Sequence, residues 1–239
     1  MSRPRPPLEL VLSCEHGGNV VPAALRARFR GARAALQGHR GWDRGALFVA
    51  RHLARTFGAP LFAVTTSRLV CDTNRSASHP RVFSEWTRDL PVARRQRLLA
   101  TLHEPHRERV RREIARRRAA GATVLHVSVH SFTPELDGDV RRNDVGVLFD
   151  PARRGEGAFH RRWKRAFAAA APPWRVLANE PYRGTSDGLT TALRRRFARG
   201  YLGLELELNQ RLFAADRRRW RPVAVAVAQA LAAALAPDS

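Results

Sequence analysis

The chain predicts a three-layer α/β/α fold around a mixed, mainly parallel sheet. Three observations carry that prediction. Short apolar runs alternate with amphipathic helical stretches along the length. The runs are bounded by Gly, Pro, Asn or Asp. Several of them stop abruptly in polar residues, where open α/β sheets place their ligands. With 239 residues and 44% hydrophobic content, one domain over 1–239 is expected, residues 1–7 forming a flexible tail.

The first strand, Leu8–Ser13, runs into Cys14, Glu15 and His16 and then two glycines. A histidine beside a carboxylate, on a loop whose glycines let backbone approach a ligand, suits a metal or catalytic corner. A helix follows over Trp42–Phe57, with Gly58 as its stop. Counting 43, 46, 50, 54, 57 keeps Asp43 on the apolar stripe. It is either a helix-start carboxylate favoured by the macrodipole or an inward-facing ligand. His39 falls outside that helix. Strands are expected at Pro60–Thr65 and Arg68–Cys71, the second leading into Asp72, Asn74 and Arg75. An arginine there is either a carboxylate fork or a surface residue beside an Asx turn.

Pro91–Ala120 reads as a long or broken helical region closed by Gly121. In the strand Thr123–His130, alternation puts His126, Ser128 and His130 on one face. His130, at the carboxyl end, is placed for a ligand; His126 lies deeper and reads as structural. A strand over Asp144–Phe149, a helix over Gly157–Ala171 and a strand over Arg175–Ala178 follow, then a Pro/Gly-containing loop, NEPYRGTSDG. The strand Tyr201–Leu208 puts Glu205 and Glu207 on one face with Gly203 and Asn209. Interior carboxylates are costly to bury without partners, so this is either an edge strand with a wet face or a strand serving a site. A helix over Ala214–Ala236 closes the chain.

The formal net charge is +22, and Lys164 is the sole lysine among 43 basic residues. The arginines are dispersed, and their densest runs fall in helical stretches. No zinc-finger spacing, RNA-recognition motif or phosphate loop accompanies them, so specific nucleic-acid binding is not expected, while weak, salt-sensitive association with polyanions is. Cys14 and Cys71 form no CxxC pair. No apolar stretch approaches the roughly 20 residues that span a bilayer, and no signal-peptide pattern is seen; the expected location is the cytoplasm, with no membrane partner. Two rival functions follow from the residues: a polyanion-binding protein on a degenerate hydrolase fold, and a serine hydrolase using Ser131 or Ser13, although no GxSxG elbow is present.

Taken in order, SCEHGGNVVP, HRGWDRGA, SRLVCDTNRS, HVSVHSF, NEPYRGTSDGLT and LELELNQRL resemble the N-formylglutamate amidohydrolase family over most of the chain. The resemblance implies a zinc-exopeptidase-like fold and hydrolysis of the amide of a small N-acyl amino acid by water activated on one Zn²⁺. It implies His16 and His130 as ligands, with Asp43 as the third and Glu15 in reserve. It further implies Glu207 as the base, Asn74 and Arg75 as the grip on a substrate carboxylate, and Asn179, Tyr182 and Asp187 as the substrate-pocket lining. Two departures stand out: CEHGG replaces an SPHSG-like motif, and Glu205 stands where the family carries glutamine. The second puts the identity of the acyl amino acid in question.

Overall fold

A computed structural model describes residues 6–169, 173–213, 216, 218 and 220–236. Its main sheet has six strands in the order β2-β1-β3-β8-β6-β7. They are β1 (Leu8–Cys14), β2 (Leu61–Ala63), β3 (Thr123–Phe132), β6 (Val145–Leu148), β7 (Val176–Ala178) and β8 (Tyr201–Asn209). The four strands β2-β1-β3-β8 are parallel; β6 pairs antiparallel with β8 and parallel with β7. The sheet is therefore mixed and mainly parallel, as the alternating pattern predicts. A small hairpin, β4 (Glu135–Leu136) and β5 (Asp139–Val140), stands apart.

The helices are α1 (Arg33–Gln37), α2 (Ala46–Phe57), α3 (Val92–Leu98), α4 (Glu104–Ala119), α5 (Arg154–Ala168), α6 (Leu189–Arg196) and α7 (Trp220–Leu235). One face of the sheet is apolar. Leu10 and Leu12, Val127 and Val129, and Leu204, Leu206 and Leu208 pack with residues of α2, α5 and α7, including Val49, Trp163 and Val227. The opposite face begins apolar, where Val11, Val124 and Tyr201 meet Val110 and Ile114 of α4 and Leu189 and Leu193 of α6. Toward the carboxyl ends of its strands the same face turns polar, through Ser13, Ser128, His130 and Glu207, all buried. This gradient, written in the period-2 alternation of β1, β3 and β8, locates the site.

Several sequence expectations shift. Arg68–Cys71 is a turn rather than a strand: Val70 N–H donates to Ser67 O and Leu69 N–H to Ser67 Oγ, a serine competing locally for backbone that a strand would pair. The helix expected from Trp42 begins at Ala46, because Gly45 sits at φ +84°, outside helical geometry. Pro91–Ala120 is helical from Val92 to Ala119 but passes through a π turn at Leu99–His103. The helix α5 begins three residues before the expected Gly157, and the helix-like arginine run expected over Arg194–Arg199 is the end of α6, which starts at Leu189 and stops at Arg196. β8 lies between β3 and β6, so the edge-strand alternative for Glu205 and Glu207 does not hold. Residues 1–5 of the expected tail, 170–171 of the expected helix end and 214, 215, 217 and 219 of the expected closing helix lie outside the described residues. Among the described residues no helix is long and apolar enough to cross a membrane.

Candidate metal centre

Three strand ends and one helix start converge. His16 follows β1, Asp43 precedes α2, His130 ends the polar face of β3, and Glu207 sits opposite His130 in the β3–β8 register. The backbone ties two of these together: Asp43 N–H donates to His16 O at 2.9 Å. His16, Asp43 and His130 each present one ligating atom, all within 4.8 Å of one another. Of the two carboxylates left open by the sequence, Asp43 joins the histidines, while Glu15 lies behind His130.

The tautomers follow from the acceptors. His16 Nε2 is 2.7 Å from Asp72 Oδ1; a carboxylate only accepts, so the proton is on Nε2. His130 Nε2 lies 2.8 Å from Ser128 Oγ and 3.2 Å from Glu15 Oε2. Ser128 in turn donates its hydroxyl to Glu15, so its oxygen accepts from His130. Both Nδ1 atoms therefore face Asp43, at 3.4 Å from His16 and 2.8 Å from His130; at the shorter distance His130 Nδ1 donates to the carboxylate, a proton that a bound cation would replace. His16 Nδ1 is buried and has no hydrogen-bond partner. Two imidazoles aimed by acceptors on their far nitrogens, a carboxylate oxygen, and an orphaned ring nitrogen fit a cation with three protein ligands and an open position.

The electrostatics agree. Burial raises the carboxyl pKa of Asp43, but His16 and His130 outweigh it and hold that pKa well below the usual range. Burial likewise opposes ionisation of Asp72, and Arg68 and His16 win; for Glu15, bonds from His106 and His130 win. Burial would lower His130, yet Asp43 and Glu15 raise it well above an ordinary histidine. Glu207 goes the other way. Burial, together with Asp43 and Glu205, outweighs His130 and pushes it up to about 8, and its Oε2 is buried without a partner.

A cavity of about 660 Å³ opens over this cluster and includes His16, Asp43, His130, Glu207, Asn74, Arg75, Tyr182 and Asp187 in its wall. Asn74 Oδ1 accepts from Leu189 N at the start of α6, and Asp187 Oδ2 accepts from Ser76 N. These bonds join the Asp72–Arg75 loop to the 179–188 loop. Arg75 Nε lies 3.4 Å from Asp72 Oδ2, and Tyr182 OH accepts from Arg141 at 3.2 Å. Asn179 is not part of the cavity wall; at φ +53° it accepts from Phe149 N and Gly184 N and shapes the loop. His39 lines the outer cavity.

Sequence reasoning missed Arg68, whose guanidinium donates to Asp72 at 2.8 Å and stands 3.8 Å from Asp43. It also missed His106, whose Nε2 donates to Glu15 at 3.1 Å. The one signal for this inner network was the shared face of Ser128 and His130. Only a glycine fits beside Glu207 on β6: a Cβ on Gly146 would stand 1.9 Å from Glu180 O and 3.2 Å from Glu207 Cβ.

The rivals find less support. Ser131 Oγ donates to Arg44 O at 2.8 Å, which commits its proton to a carbonyl rather than a base. Ser13 is fully buried against His126. The dense arginine run of α4 is laced with carboxylates: Arg111 and Arg112 pair with Glu108, and Arg116 and Arg117 with Glu113.

Residues 8–214 match the family model described as N-formylglutamate amidohydrolase. Among solved structures, a gene product of Agrobacterium tumefaciens superimposes with a TM-score of 0.82 at 30% identity, over 95% of this chain and 90% of that one. An N-formylglutamate amidohydrolase from Ralstonia eutropha JMP134 superimposes with a TM-score of 0.66 at 18% identity, over 96% and 93% of the two chains. No curated protein sequence matches the chain.

Proposed function

The chain belongs to the N-formylglutamate amidohydrolase family, and from that premise we propose that it cleaves the amide of an N-acyl amino acid resembling N-formylglutamate, with Zn²⁺ held by His16, Asp43 and His130. Amide hydrolysis is the family's chemistry; the metal, the substrate and the residue roles are the proposal. The observation that carries it is the pair of Nδ1 atoms turned toward Asp43, each histidine being fixed from behind by an acceptor on Nε2. Zinc bound there supplies a Lewis acid that polarises the substrate carbonyl and lowers the pKa of water to roughly 7.

The remaining work belongs to side chains. Arg75 and Asn74 hold a substrate carboxylate at one wall of the cavity, which lays the amide across to Glu207. Glu207 takes a proton from the attacking water and returns it to the departing nitrogen. Burial beside Asp43 and Glu205 raises its pKa, the direction that suits a carboxylate which gives as well as takes a proton. Tyr182 and Asp187 complete the cavity wall.

Metal analysis combined with hydrolysis of N-formyl-L-glutamate tests the proposal. Protein as purified is expected to hold one zinc per chain and to release formate. His130→Ala is expected to lose both the metal and the activity. Undiminished hydrolysis by His130→Ala would overturn the proposal.

A further inference from the structure

The loop that carries Asn74 and Arg75 has no regular secondary structure. Among the described residues no backbone N–H reaches the carbonyl oxygens of Thr73, Asn74 or Arg75. Backbone carbonyls in a half-buried loop need partners, and here they come from a single helix face. Arg107 of α4 directs one terminal nitrogen at all three carbonyls, at 3.3, 2.7 and 3.2 Å in chain order. His103 Nε2, four residues earlier, donates to Arg75 O at 2.8 Å. His106, on the same face, holds Glu15, and Thr73 Oγ1 donates to Glu15 O at 3.3 Å.

We propose that Arg107 is a positioning residue that sets the Asp72–Arg75 loop so that Asn74 and Arg75 meet the substrate carboxylate. This rests on reading those two residues as the carboxylate grip. Arg107 is not part of the wall of the main cavity, so it acts through the loop rather than on substrate. The same loop is also tied to the 187–189 segment by Leu189 N on Asn74 Oδ1 and by Ser76 N on Asp187, while Arg107 holds its backbone carbonyls. The π turn at Leu99–His103 inserts an extra residue into the helical repeat. Leu98 and Leu102 pack against the apolar cluster that contains Leu69 and Val70, while His103, His106 and Arg107 meet Glu15 and the Thr73–Arg75 carbonyls.

The test is steady-state hydrolysis of N-formyl-L-glutamate by Arg107→Met, Arg75→Met and the double variant, with zinc content and thermal melting measured on each. Arg75→Met is expected to raise KM. Arg107→Met is expected to raise it by roughly 10-fold, a loss of about 1.4 kcal/mol of binding, with kcat nearly unchanged and zinc retained. The double variant is expected to have a KM well below the product of the two single effects, because Arg107 acts partly through Arg75 and the rest of its effect runs through Asn74. An unchanged KM in Arg107→Met, a loss confined to kcat, or multiplicative effects in the double variant would each overturn the assignment. An unchanged KM in Arg75→Met would instead overturn the carboxylate-grip reading and the assignment with it. If Arg107→Met does not fold, Arg107→Lys, which keeps a donor for Asn74 O, is expected to show a smaller rise in KM. Failure of both variants to fold would make Arg107 a stability residue and end the proposal.

Discussion

Residue by residue, the site is organised by which nitrogen of each histidine has an acceptor. Asp72 and the Ser128–Glu15 pair claim Nε2 of His16 and His130, and the Nδ1 atoms are left for Asp43 and for a cation. Partners of this kind typically contribute 10- to 100-fold to metal affinity. Asp72→Asn is therefore expected to weaken zinc binding by about 10- to 100-fold in competition with a chromophoric chelator. Glu207 carries a separate task. Glu207→Gln is expected to lower kcat by roughly 10²- to 10⁴-fold while zinc stays bound, measured by metal analysis and formate release on the same preparation. His16, Asp43, His130 and Glu207 were named from the sequence, His16 and His130 at strand ends, Asp43 on a helical stripe and Glu207 on the polar face of a strand, with their roles implied by the family resemblance, and the structure gathers all four around one cavity. Arg68 and His106 were not legible as site residues. Arg68 lies in a turn that reads as a strand, and His106 sits in an arginine-rich helix whose sequence does not tell the face packed on Glu15 from the solvated one.

At the scale of elements, β8 shows how position changes the meaning of a residue pattern. LELELN reads equally as a wet edge or as an active strand; its place between β3 and β6 removes the first. Non-local pairing decides that, and a single sequence does not encode it legibly. The same strand depends on its neighbour: Gly146 leaves room for Glu180 O directly above the sheet. Gly146→Ala is expected to destabilise the protein by at least ~1–3 kcal/mol and to raise KM, because the added methyl displaces the 179–188 loop and crowds Glu207. Urea unfolding gives the first quantity and steady-state kinetics the second. The three-layer arrangement itself was legible, since period-2 strands and 3.6-period helices alternate clearly. The boundaries that moved did so for local reasons: the left-handed Gly45 at α2 and the serine turn at Ser67.

For the whole molecule, the polar interior makes stability depend on pH. His126 is fully buried between Ser13 and Tyr201, and burial lowers its pKa from 6.5 to about 4. It stays neutral when folded, so its contribution is intact above pH 6.5. As pH falls toward 4 the unfolded chain takes the proton first, and about 3 kcal/mol is lost. Glu207 works in the opposite sense over the range from 4.5 to about 8, so the wild type alone does not isolate either group. The difference between wild type and His126→Gln does: the variant is expected to lose less stability between pH 7 and pH 4.5 in urea titrations of metal-free protein. The charge of +22 gives a second global expectation. Retention on a polyanionic resin should fall steeply between 50 and 200 mM salt, without preference for nucleic-acid sequence.

The most direct test of the central claim is a zinc titration of metal-free protein followed by formate release from N-formyl-L-glutamate. The rate is expected to start near zero, rise with added zinc and saturate at one ion per chain. A full rate in the metal-free protein, unchanged by zinc, would contradict the claim.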